Sequence, residues 1–207
     1  MAVVTGDVHH PGGSGLVSRA RLARRCALLA AWLCLPLPLG AIALGDTPNV
    51  TITADQPLRF GTLLVPASGT RTVGPDGSVL DSGLFGIDGD PVGPAQFTVT
   101  YDRGNNGNQY GRAGNGNITI VVQVIFAGYQ TVRSGGVTGQ LSDLTSDLQG
   151  SGNQLTGSVA TLTLANCMTR TCSQTFRIGA RLDVTRAAGG GQLVFPLPAT
   201  AAVIQVY

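Results

Sequence analysis

Asn49-Val-Thr-Ile-Thr-Ala-Asp55, Leu58-Arg-Phe-Gly-Thr-Leu-Leu-Val65, Gly69-Thr-Arg-Thr-Val73 and Pro75-Asp-Gly-Ser-Val79 follow one another with only short gaps. Apolar residues alternate with threonines at Val50, Ile52 and Ala54, and β-branched residues dominate. This is strand chemistry broken by Pro-Asp-Gly turn chemistry. Further along, Gln96–Tyr101 alternates and places Phe97, Val99 and Tyr101 on one face. Asn117–Phe126 is the most apolar run, expected as a central strand covered on both sides. Short strands are expected at Thr70–Val73 and Ser78–Asp81, longer ones at Leu155–Leu164 and Thr175–Val184. The chain closes with a Pro-interrupted Leu193–Leu197 and with Ala201–Tyr207. Gly83–Pro94 and the Gly/Asn-rich Gly104–Gly116 read as loops, and Leu141, Leu144 and Leu148 have the spacing of a short helical turn. The expectation is one all-β domain, an antiparallel β-sandwich of about eight or nine strands.

Composition supports that reading. Glycine reaches 30 of 207 residues while charged residues are 12% and aromatics 5%, a poor mixture for long helices. Lysine and glutamate are absent; all 13 basic residues are Arg and all 11 acidic residues are Asp. Four of the arginines fall between positions 19 and 25, so the net charge of +2 comes from that end. The rest of the chain is close to neutral, with no basic field for nucleic acid or anionic lipid.

Those arginines, Arg19, Arg21, Arg24 and Arg25, precede an apolar run from Cys26 to Leu39 that holds Pro36 and Pro38. Ala41-Ile42-Ala43 follows as an A-x-A cleavage site, with Ala43-Leu44-Gly45 as a second choice. The run is shorter than the roughly 20 residues needed to span a bilayer. Residues 19–45 are therefore expected to be a secretion signal, cleaved after Ala43 or Gly45, leaving 46–207 as the β domain without a membrane span. Residues 1–18, polar and holding His9 and His10, are expected to be unstructured or to follow from a start codon placed too early. Export puts the chain in the periplasm, on the cell surface or outside the cell. Past the signal only Cys167 and Cys172 remain, between two strand candidates, and they read as a disulfide across a hairpin loop.

Chemistry is limited by what the processed chain holds. Without His, Lys or Glu, neither Ser-His-Asp, Cys-His nor Ser-Lys arrangements are available. Acid–base work would fall to Asp88 and Asp90, with Asp81 and Asp102 as partners, if burial separated their pKa values. Gly-Asp-Gly-Asp-Pro is also ordinary turn composition. Calcium needs six or more oxygens, and no calcium-loop spacing accompanies Asp88, Asp90 or Asp102. No phosphate-cradling Gly motif occurs in a strand–helix context. No metal, cofactor or enzyme activity is expected.

Leu58-Arg-Phe60-Gly61, Gly69-Thr70-x-Thr72-Val73 and Asp76-Gly77 resemble the opening signature of a bacterial secreted family known only as a domain of unknown function (four-four-zero-two). The Ala95-Gln-Phe97-Thr-Val99 strand, then Phe176-Arg-Ile178-Gly179-Ala-Arg-Leu182-Asp-Val184, continue the resemblance, and Ile204-Gln-Val206-Tyr207 ends it. It covers Asn49 to Tyr207, and its specificity lies in the order of short motifs. Leu193-Val-Phe-Pro-Leu-Pro198 departs from the aromatic-Gly-Thr run of the pattern, which leaves the pairing of the last strand open. The resemblance implies an immunoglobulin-like or pilin-like envelope sandwich without catalysis. Its candidate assembly elements are the first strand (Val50, Ile52, Ala54) and the last (Ile204, Val206, Tyr207), pairing with like subunits or a periplasmic chaperone. The plainer alternative is that both strands close their own sheets, which the short Asp55-Gln-Pro57 connection favours. The expected function is structural or adhesive. A monomeric module for glycans or surface polymers is the other reading, with Tyr101, Tyr110 and Tyr129 as stacking platforms.

Overall fold

A computed structural model describes residues 3–7, 49–104, 117–127, 131–150 and 152–207. The strands are β1 (Val3–Asp7), β2 (Asn49–Gln56), β3 (Arg59–Leu64), β4 (Ser68–Val73), β5 (Val79–Ser82), β6 (Phe85–Gly93) and β7 (Ala95–Asp102). They continue with β8 (Ile118–Phe126), β9 (Thr131–Ser134), β10 (Val137–Ser146), β11 (Gln154–Thr156), β12 (Val159–Cys167), β13 (Thr171–Arg186) and β14 (Ala199–Val206). The described residues contain no helix.

Three antiparallel sheets result. The largest runs β2-β7-β13-β10-β9, with β4 on β13 and β5 on β4; a second runs β11-β12-β8-β14; the smallest runs β1-β3-β6. β13 organises the largest sheet. Its first half, Thr171–Ile178, pairs with β7, and its second half, Ala180–Thr185, pairs with β4. Its other edge carries β10. Gly179 stands where one partner gives way to the next, and a Cβ there would overlap the Val73 carbonyl and the Gly74–Pro75 backbone.

The buried faces meet in one core. Phe97 of β7 and Phe176 of β13 stack at 5.8 Å, and Phe126 of β8 meets Phe97 edge-on at 5.2 Å. That trio locks the four-stranded sheet onto the largest one, with geometry that adds to area burial. The alternation expected for Phe97, Val99 and Tyr101 holds, since all three are buried while their neighbours are half-exposed.

Several expectations need correction. The count of eight or nine strands is too low; the described residues hold fourteen in three sheets. Gly83–Pro94 is not a loop: Phe85–Gly93 pairs with β3, and the Asp88–Pro91 run bulges out between the Thr62–Ile87 and Phe60–Val92 pairs. Leu141, Leu144 and Leu148 form no helical turn, because β10 is a strand whose register breaks between Ser142 and Thr145. Asp143 there has φ 48°, so a bulge produces the helix-like spacing. Leu155–Leu164 is a hairpin, β11 and β12, turning at Gly157 with φ 60°. β8 is central, but only one of its faces is buried. Leu193–Leu197 joins no ladder beyond a bridge at Leu193; Pro196 and Pro198 lack the N–H a ladder needs, although Leu193, Phe195 and Leu197 are buried alternately. Val3–Asp7, in the stretch expected to be unstructured or to follow from an early start codon, is a strand on β3.

Candidate functional site

One buried cation, Arg71, bonds to the backbone of Phe60, one of the family-type residues. Arg71 and Val73 share the inward face of β4, and the Arg71 side chain is 6% exposed. Its Nε and Nη2 donate to Asp81 Oδ1 and Oδ2, each at 2.6 Å, and its Nη1 donates to the Phe60 carbonyl at 2.7 Å. β4 and β5 belong to the largest sheet and Phe60 to the smallest, so a single guanidinium ties two sheets together. A bidentate pair with a third bond is the arrangement that can hold a buried arginine.

Gly86, which is not part of the signature, leaves space for the guanidinium itself, while the signature glycines Gly61 and Gly69 clear neighbouring strands. Gly61 has φ 68°, and a Cβ there would come within 2.6 Å of Val92 Cγ2. A Cβ at Gly69 would come within 2.6 Å of the Ser82 carbonyl, and one at Gly86 would overlap Arg71 Nη2. Leu58, Phe60, Val73, Ile178, Leu182 and Val184 are core residues, and Thr70 sits in the β4 ladder opposite Asp183. Asp76-Gly77 makes the β4–β5 turn. Ser78 donates its N–H to Asp76 Oδ1 at 3.0 Å and its hydroxyl at 2.6 Å, holding that carboxyl below its ordinary pKa. Gly77 takes φ 86°. Sequence reasoning missed Arg71. The available signal was period-two spacing, which puts Arg71 on the face of Val73.

Cys167 and Cys172 form the expected disulfide between the end of β12 and the start of β13, but those strands lie in different sheets, so the loop it closes is a crossover and not a hairpin. Arg103 Nη2 donates to the Cys167 carbonyl, and the Arg103 N–H to the Arg170 carbonyl at 3.0 Å. Arg170 Nε donates to Asp102 Oδ1 at 3.0 Å, which holds the Asp102 carboxyl below its ordinary pKa, with the Gly104 N–H assisting. An open hollow of about 470 Å³ lies along this loop, between Thr163 and Gln174.

The terminal strands both sit at sheet ends. β2 pairs with β7, leaving Val50, Ile52 and Ala54 half-buried against the core. β14 pairs with β8; Ile204 is 53% and Tyr207 67% exposed, while Val206 is half-buried. The Tyr207 backbone exchanges hydrogen bonds with Thr119, at 2.9 and 3.2 Å. Ala43 and Gly45 lie outside the described residues.

The carboxylate candidates are dispersed in role. Asp88 and Asp90 are exposed on β6, Asp81 is engaged by Arg71, and Asp102 by Arg170. Among the described residues no group of three potential metal ligands occurs. Tyr101 is 3% exposed, while Tyr110 and Tyr129 lie outside the described residues. No described helix is long and apolar enough to cross a membrane.

No curated protein and no solved structure matches the chain. The family model described as Domain of unknown function (DUF4402) matches residues 50–193, more than half of the chain. From Leu58 to Val184 its span takes in the Arg71 cradle, the Gly86 position that admits it and the Gly179 crossover. The chain belongs to that family of domains of unknown function.

Proposed function

We propose that the processed chain is an exported, non-catalytic protein of the bacterial cell envelope. In this reading it is an immunoglobulin-like, pilin-like β-sandwich with a structural or adhesive role, joining like subunits or a chaperone by strand addition. One observation carries the proposal: the first and last strands of the processed chain, β2 and β14, both end a sheet. A strand in that position offers unpaired N–H and C=O groups to another chain. The disulfide is consistent with export. The family-type side chains also support a structural role, because they are spent on packing and on the Arg71 joint. Sedimentation of the processed chain at rising concentration tests this. Species larger than a monomer are expected, and a monomer at every concentration would overturn it.

The disulfide-loop hollow favours a second reading, a binding module for glycans. Thr163, Asn166, Thr169, Thr171, Ser173 and Gln174 offer hydroxyl and amide groups there. Burial of Tyr101 removes one stacking platform. Binding on a glycan array that Asn166→Ala abolishes would select this reading.

A further inference from the structure

β3 has β6 on one edge and Val3–Asp7 on the other. The seated strand runs antiparallel, with Val3 opposite Leu64, Val4 opposite Leu63, Thr5 opposite Thr62, Gly6 opposite Gly61 and Asp7 opposite Arg59. It lies upstream of the apolar run and of Ala43, so cleavage there puts it on the released piece. While attached, its return to β3 is intramolecular; once cut, five residues of strand have no tether to keep them there. β3 would then present an open edge next to the Arg71 joint.

We propose that this edge of β3 receives strand β2 of a second copy. The inference rests on the strand-addition reading above and names the acceptor and donor. Two observations point to β2. It repeats the order of residues in the seated strand: Val4-Thr5-Gly6-Asp7 corresponds to Ile52-Thr53-Ala54-Asp55, a β-branched apolar residue, Thr, a small residue and Asp. In the register of the seated strand, Ile52 falls opposite Leu63, Thr53 opposite Thr62, Ala54 opposite Gly61, and Asp55 opposite Arg59. The acidic position thus returns to its place across from a cation.

The second observation is availability. Among the described residues β2 pairs only with β7, and none of its residues is fully buried. It can therefore keep its ladder to β7 and lay its other edge on the neighbour's β3. Such a contact joins two different surfaces. It does not close on itself, and repetition gives a chain of subunits.

Disulfide trapping tests the register. A chain carrying both Thr53→Cys and Thr62→Cys is exported and processed by the cell, then oxidised. A ladder of cross-linked dimers and higher species on a non-reducing gel is expected, with neither single substitution producing one. A synthetic peptide of residues 2–8, added to the unsubstituted processed chain, is expected to abolish its self-association. If that chain self-associates while the double variant stays uncross-linked and the peptide has no effect, the β3–β2 assignment is wrong and strand addition stands. If it is monomeric throughout, both fail. The peptide arm uses no substitution, so poor folding of the variants cannot hide the answer.

Discussion

Asp81→Ala removes the bidentate partner of Arg71 and leaves the guanidinium bonded to the Phe60 carbonyl in a site where its side chain is 6% exposed. Breaking one side of a buried pair costs about 3–5 kcal/mol, chiefly because the remaining charge is stranded. The Asp81 side chain is 29% exposed, so water can replace part of it, and the lower end of about 3 kcal/mol applies. In domains of about 150–250 residues each kcal/mol moves Tm by about 2–4 °C, giving a fall of about 6–12 °C. Calorimetry of the processed chain measures it. Two comparisons isolate the cause. Arg71→Met with Asp81→Leu removes both charges and should recover most of the loss. Asp102→Ala breaks the Arg170 pair, which is exposed, and should leave Tm nearly unchanged. A fall for Asp81→Ala no larger than for Asp102→Ala would refute the idea that the Arg71 joint holds the two sheets together.

Other perturbations follow from the same contacts. Gly86→Ala should mimic Asp81→Ala in calorimetry, because its Cβ takes the place of Arg71 Nη2. Phe126→Ala should cost about 3–5 kcal/mol in chemical denaturation, since it empties the aromatic contact between the two larger sheets. Reducing Cys167–Cys172, which closes a short loop, should cost about 2 kcal/mol by chain entropy, read as a lower denaturant midpoint. NMR titration should find the Asp102 carboxyl below its ordinary value, and Arg170→Gln should raise it. The sign follows from the lowered pKa: this contribution is present above the unfolded value and is lost as pH falls through the folded one.

Much of the fold was legible where alternation was clean. Gln96–Tyr101 declared its buried face outright, and the Gly74–Gly77 turn was readable from Pro-Asp-Gly alone. Errors fell where local chemistry and tertiary pairing disagree. Asp88-Gly-Asp-Pro91 has turn composition, yet its flanks pair with β3 and carry it as a bulge. In β10 the bulge at Asp143 shifted the leucines into helical spacing. Val3–Asp7 is three β-branched residues before Gly-Asp, too short a run to be called without its partner β3. For the candidate site, the signature glycines were visible, but not Gly86, whose missing side chain admits Arg71. Arg71 occupied the variable position of the Gly-Thr-x-Thr-Val run, and only the meeting of β3, β4 and β5 makes it the centre.

Whether the processed chain joins copies of itself is decided on an unheated denaturing gel of sheared surface material and periplasm, probed for this chain. A ladder that collapses to monomer on boiling is the predicted result for subunits joined by strand addition. A single monomer band in every fraction, heated or not, would contradict the account and leave a self-closed β domain whose disulfide-loop hollow is the site to pursue.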